Sequence, residues 1–368
     1  MNKLRAFFRR KDIVFSGKRY GIDALGAMAQ GLFCTLLVGT ILNTVGQQFG
    51  IGFLNAVIVT LGKGEGAVSY TIGGLASAMV GPGIAIAIGY ALHCPPLVLF
   101  SLIPVGFAAN AMGGAGGPLA VYFVAIVASE CGKLVSKETK VDILVTPIVT
   151  ILVGIGFASL VAAPIGKAAS AVGDFVKWAT VLQPFFMGIL VSAVIGIALT
   201  LPISSAAICA ALSLTGLAGG AAVAGCCAQM VGFAVMSFRE NRWGGLVAQG
   251  IGTSMLQMPN IVKNPRIWIP PTLASMITGP LATCLFKLEM NGAPVSSGMG
   301  TCGLVGQIGV YTGWVSDVAS GAKAAITTMD WIGLVLICFV LPAILSWVFC
   351  LVLRKWGWIK ENDLKLEL

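Results

Sequence analysis

Polar side chains are scarce in this chain, so the few that interrupt its apolar runs are the ones whose chemistry can be read. The richest stretch is Gly252–Pro271, GTSMLQMPNIVKNPRIWIPP. Gln257 and Asn260 stand three apart, so on one helix they share a face. Pro259, Pro265, Pro270 and Pro271 leave backbone carbonyls without intrahelical donors. Carboxamides beside free carbonyls suit a neutral solute with many hydroxyl groups, although an irregular loop anchored by Trp268 is the plainer alternative. A second polar group, Glu289, Asn291, Ser296 and Gln307, lies in a flexible stretch flanked by apolar helices. A re-entrant hairpin carrying ligand groups fits it, and so does an exposed loop. His93, the only histidine, ends an apolar run just before Cys94-Pro95-Pro96. Near a helix end it reads as a boundary residue stabilised by the C-terminal dipole, with ligand contact as the other possibility. Glu65, Glu130 and Glu289 are the acids nearest apolar runs, where an ionisable group is a functional candidate by position. Glu130 also has Lys133 within reach of an i,i+3 pair.

Other chemistries are not indicated. No nucleophile–base pair or Walker loop is visible, so no catalytic residue is predicted. The ten cysteines include no CxxC and have one histidine between them. Neither a metal site nor a disulfide framework follows, and no cofactor is expected. Gly298-Met-Gly300-Thr-Cys-Gly303 matches GxGxxG, but that pattern binds dinucleotides only between a strand and a helix. A close-packed or re-entrant membrane turn is the expected reading. Asn110–Pro118, NAMGGAGGP, ends one apolar run and opens another, either beside a cavity at membrane depth or as a tight external turn.

These groups must be positioned by elements immersed in lipid. Of the 368 residues, 57% are hydrophobic and 10% charged, against roughly 25% charged in a soluble domain. The expected fold is an all-α polytopic membrane protein with about ten transmembrane helices, eight being the alternative, in two halves with re-entrant or broken segments. Apolar runs at 22–45, 69–92, 97–111, 116–135, 142–165, 184–201, 203–237, 267–287 and 331–353 are the clear candidates. Residues 1–20 form a basic N-terminus, 21–165 a first half, 166–183 an interfacial amphipathic linker, 184–354 a second half with the presumed substrate site, and 355–368 a tail. The net charge of +9 is concentrated at the N-terminus, in the Lys133–Lys140 loop, around Arg239, Arg242, Lys263 and Arg266, and in the tail. That pattern orients a membrane protein with both termini in the cytoplasm; nucleic acid is not an expected partner. An ion-coupled carrier of an anionic solute would instead use Arg239, Arg242, Lys263 and Arg266 as ligand groups.

The stretches NAMGGAGGP, GTSMLQMPNIVKNPRIWIPPTLAS and GMGTCGLVGQ resemble the membrane subunit, enzyme IIC, of the bacterial phosphoenolpyruvate-dependent sugar phosphotransferase system. The likeness is to the branch that includes perfringolysin-regulator-like proteins, and it covers about residues 20–355. It implies an enzyme IIC-like permease in the bacterial cytoplasmic membrane, with ten transmembrane helices, re-entrant hairpins and a homodimer. It further implies one sugar site per protomer, alternating access, and phosphorylation of the sugar by a separate IIB subunit supplied by IIA. The chain lacks the GITEP-like hairpin of other sugar IIC proteins, and its lone histidine lies in the first half. A membrane sensor or regulator, or a non-phosphorylating carrier, therefore stands as the alternative to a permease.

The orientation can be checked directly. In a cysteine-free background, single cysteines replacing Lys11, Lys137 and Lys360 are expected to label only from the cytoplasmic face. Labelling from outside at any one of them contradicts the cytoplasmic placement inferred from the basic residues.

Overall fold

The computed structural model describes residues 2–62 and 67–366. Glu65, one of the three acids singled out above, lies outside them. The described chain is helical except for one short antiparallel hairpin, in which Val59–Leu61 pairs with Val68–Tyr70. Two compact units make up the chain, Met1–Ala168 and Ala169–Leu368.

Among the described residues, five helical runs are long and apolar enough to cross a membrane. They are Arg19–Gln48, Pro96–Val135, Asp142–Ala179, Gly216–Met236 and Thr328–Lys355. A bent pair, Ile72–Ala78 with Val80–Ala91, brings the number to six, the chain bending by 54° at the break. The remaining apolar runs are shortened or interrupted. Pro184–Thr200 has 17 residues, and Ile269–Pro280 passes into a π-helical turn at Leu281–Leu285.

In the first unit, the forty-residue run Pro96–Val135 is folded back on itself. Pro96–Gly113 ends at Gly114, whose φ of +51° turns the chain, and Gly117–Val135 returns alongside it. The pairing is antiparallel: Gly113 faces Ala120 near the turn, while Gly132 faces Val98 at the far end. The glycine run NAMGGAGGP is therefore a tight turn between two packed helices. The helix Asp142–Ala179 continues unbroken for 38 residues, so the segment 166–183 begins inside it. Only 22% of its most apolar window is buried, which leaves a long outward apolar face of the kind lipid covers.

The second unit is built around Gly216–Met236, GLAGGAAVAGCCAQMVGFAVM, most of whose residues are buried. The helices Pro184–Thr200, Ile269–Pro280 and Leu341–Lys355 pack against it. Small residues let backbones approach where lipid supplies no hydrophobic drive between helices. A Cβ at Gly225 would overlap the Ser192 carbonyl, and one at Gly220 would overlap that of Leu288. The Gly216 end is pinned by a reciprocal backbone pair with Met290, 3.0 Å in each direction.

Packing this close makes a sharp prediction. Gly225→Val is expected to destabilise the protein by about 1–3 kcal/mol or more, because no rotamer relieves a clash with backbone. Gly156→Ala, whose added methyl meets nothing within 4 Å, is expected to be neutral or slightly stabilising. Thermal melting in detergent compares the two; a Gly225→Val protein that melts with the parent would contradict the packing.

Candidate functional site

Two stretches of the second unit are built from successive short, irregular turns. The first runs through a π-helical turn at Ala248–Gly252, a 3-10 turn at Ser254–Gln257, the short helix Met258–Lys263 and a 3-10 turn at Pro265–Trp268. Its breaks follow the sequence: Pro259 and Pro265 open new turns, and the Asn264 side chain caps the last one by accepting from Arg266 N at 3.2 Å. The second comprises 3-10 turns at Pro294–Gly298 and Cys302–Leu304. Here Gly300, Gly303 and Leu304 have φ of +54°, +50° and +59°. A left-handed leucine is a strained conformation that the surroundings must impose, and such strain gathers at ligand sites.

The two segments meet. Thr301 Oγ1 donates to the Gly250 carbonyl at 2.5 Å, and the Gly300 backbone lies on Cys226 and Cys227, midway along Gly216–Met236. The second segment is further held where Ser205 Oγ donates to the Gly298 carbonyl at 2.7 Å and Ser297 Oγ to that of Leu214 at 2.6 Å.

The residues singled out from the sequence fall into separate places. Gln257 and Asn260 are brought together: Asn260 Nδ2 donates to Gln257 Oε1 at 2.9 Å. Gln257 Nε2 donates to Gln249 Oε1 at 2.8 Å and to the Leu364 carbonyl at 3.0 Å, while Asn260 Nδ2 also donates to the Lys365 carbonyl at 2.9 Å. Gln249 in turn donates to Ser237 Oγ at 2.9 Å, just past Met236. Glu289 and Asn291 form a second pair, with Asn291 Nδ2 donating to Glu289 Oε2 at 3.2 Å and to Asp317 Oδ2 at 2.8 Å. Asn291 Oδ1 accepts from Gly216 N at 3.1 Å. The two pairs thus lie towards opposite ends of a 21-residue helix, about 30 Å long at its rise per residue. Ser296 and Gln307 lie between them and are buried. Gln307 Nε2 donates to Cys227 Sγ at 3.1 Å, but its Oε1 is buried without a partner among the described residues.

His93 belongs to the first unit. It is exposed, has a φ of +57°, and lies 3.7 Å from Asp12. Beside it the Leu92 carbonyl accepts from Arg19 Nη2 at 2.6 Å and from Lys133 Nζ at 3.1 Å, so two cations cap that helix end. Lys133 also pairs with Glu130 at 2.9 Å. The Arg19 guanidinium, bonded to Asp12 at 2.6 and 3.1 Å, holds that carboxyl below its ordinary range.

One buried group escaped the sequence reading. Gln229 is fully buried and sits in a network of its own. Its Oε1 accepts from Trp268 Nε1 at 3.0 Å and from Thr200 Oγ1 at 3.3 Å, its Nε2 donates to Thr272 Oγ1 at 3.2 Å, and Thr200 shares a bond with Ser254 at 2.8 Å. The signal was present: a single carboxamide inside an otherwise small and apolar helix. No cluster of three or more His, Cys, Asp or Glu side chains among the described residues is placed to hold a metal ion.

Apolar helices around an irregular, polar centre define a polytopic helical membrane protein with broken helices. The family model described as "Phosphotransferase system, EIIC" matches residues 22–366. The chain belongs to that family and is a multi-pass membrane protein of it. No curated protein and no solved structure matches it.

The tail contacts can be tested without any ligand. Asn260→Ala removes the bonds to Gln257 and Lys365, a loss of about 1–3 kcal/mol. The fraction of undocked tail should rise roughly five- to a hundredfold, read as faster proteolysis within 356–366. Unchanged cleavage would mean that the amides do not hold the tail.

Proposed function

We propose that this chain is the membrane permease subunit of a sugar phosphotransferase system, binding a sugar or a similar polar solute and translocating it by alternating access. On this reading it works as a homodimer in the bacterial cytoplasmic membrane, with ten crossings and both termini in the cytoplasm. Phosphorylation of the solute falls to a separate IIB subunit charged by IIA. Family membership supports the reading. The meeting of two broken segments in the second unit supports it further, since transporters commonly place their sites at such breaks.

The solute is assigned to the second unit, with Gln257, Asn260, Glu289, Asn291, Ser296 and Gln307 as its candidate groups and His93 as an outlying one. Gln307 carries the assignment. Its buried Oε1 has no partner among the described residues, a state that costs about 1–3 kcal/mol and that a bound hydroxyl would relieve. The donors of Gln257 and Asn260 are already taken by the tail and by neighbouring amides, so the bonds they can offer a ligand are the ones freed when the tail leaves. That occupancy favours the second reading, an EIIC-like sensor in which solute and tail compete.

The experiment is a thermal-shift screen of purified protein against sugars and small polyols, since a ligand that binds only the folded state raises its melting point. Gln307→Met, nearly the same size, should melt at or above the parent temperature, because it deletes an unpaired acceptor. It should also bind the solute about five- to a hundredfold more weakly. A variant that binds as well as the parent removes Gln307 from the site; a protein that no polar solute shifts contradicts the permease.

A further inference from the structure

We propose that the second unit carries a built-in site for one anionic phospholipid, with its apolar portion in a cleft against the C-terminal helix and its phosphate on Arg239, Arg242 and Arg354. The apolar part is a cleft of about 390 Å³ lined by Val235, Met236, Leu246, Ala343, Ile344 and Trp347, among others. Ile344 and Trp347 are 52% and 51% exposed, so the cleft is open along its side. Adjoining it is a polar pocket of about 400 Å³ that contains Arg239, Glu240, Arg242, Arg354, Glu361 and Lys365. Arg239 and Arg354 line both, so the two form one amphipathic site.

Charge selects the occupant. Four cations face two carboxylates, and one carboxylate, Glu240, is already bonded to Arg354 at 2.6 Å. Arg239 and Arg242 are both exposed, and neither has an acidic partner among the described residues. Arg242 is held at a φ of +50°, which kinks the helix Phe238–Val247. A guanidinium presents a fork of donors that matches phosphate oxygens. The level in the bilayer also fits. Trp243 and Trp356 are 71% and 64% exposed and flank the arginines in the chain, and tryptophan concentrates at headgroup depth. A zwitterionic lipid would fill the cleft but leave the excess positive charge unanswered, and a free phosphate would leave the cleft empty. A phospholipid with a net negative head satisfies both.

The test is native mass spectrometry of the full-length protein in detergent, titrated with dioleoyl phosphatidylglycerol, dioleoyl phosphatidylcholine or glycerol 3-phosphate. The parent should retain one phosphatidylglycerol at least about fivefold better than phosphatidylcholine, and glycerol 3-phosphate should not displace it. Arg239→Gln with Arg242→Gln should bring the two lipids within about twofold of each other. Both residues are exposed, so this variant reads charge without risk to folding. Ala343→Phe, which fills the cleft, should lose the tight phosphatidylglycerol while keeping both arginines. Equal retention of the two lipids by the parent, or an unaltered preference in the double variant, overturns the proposal. Displacement by glycerol 3-phosphate overturns it in favour of a soluble phosphate ligand.

Discussion

Lipid offers no hydrogen bonds, so every backbone group freed by a broken helix at membrane depth must find its partner inside the protein. The second unit meets that demand with a few side-chain hydroxyls on specific carbonyls. Thr301 closes onto Gly250, Ser297 onto Leu214 and Ser205 onto Gly298. These bonds need the irregular segments to lie directly on helix backbone, and the glycines and alanines of Gly216–Met236 leave room for that. A larger side chain there would separate the segments from the groups that satisfy them. The small-residue helix and the polar centre are thus one device.

Given that constraint, an unmet hydrogen bond is informative. Gln229 and Gln307 are both buried carboxamides. Gln229 is satisfied on both ends by Trp268, Thr200 and Thr272, as a residue that fixes packing should be. Among the described residues, Gln307 has a weak sulfur partner on one side and none on the other. A difference of about 1–3 kcal/mol separates those two states, and the proposed solute site rests on it.

Much of the architecture was legible because membrane helices announce themselves locally. The runs at 22–45, 97–111 and 116–135 coincide with Arg19–Gln48, Pro96–Gly113 and Gly117–Val135, since apolar length and a glycine turn suffice to mark them. The proline breaks around Gln257 were visible for the same reason. Partners distant in sequence were not visible. Gln257 and Asn260 share a face as their spacing requires, yet the groups they bind, Leu364 and Lys365, lie more than a hundred residues away. Nor could spacing show that Asn291 is tied to Gly216 while Gln257 reaches towards the other end of the same helix. Residues 166–179 of the segment 166–183 continue the helix from Asp142, because alanine-rich sequence propagates a helix already begun.

The decisive measurement is the aqueous reactivity of a cysteine placed at Leu304, an exposed position of the second irregular segment, in a background free of native cysteines, with and without solute. If the two broken segments enclose a solute site within the bilayer, a hydrophilic thiol reagent should modify that cysteine, and the bound solute should protect it. A cysteine at Ala158, buried in the first unit, should stay unmodified throughout. If position 304 is as inert as position 158, or reacts equally with and without every solute that stabilises the protein, no solute site lies where these segments meet.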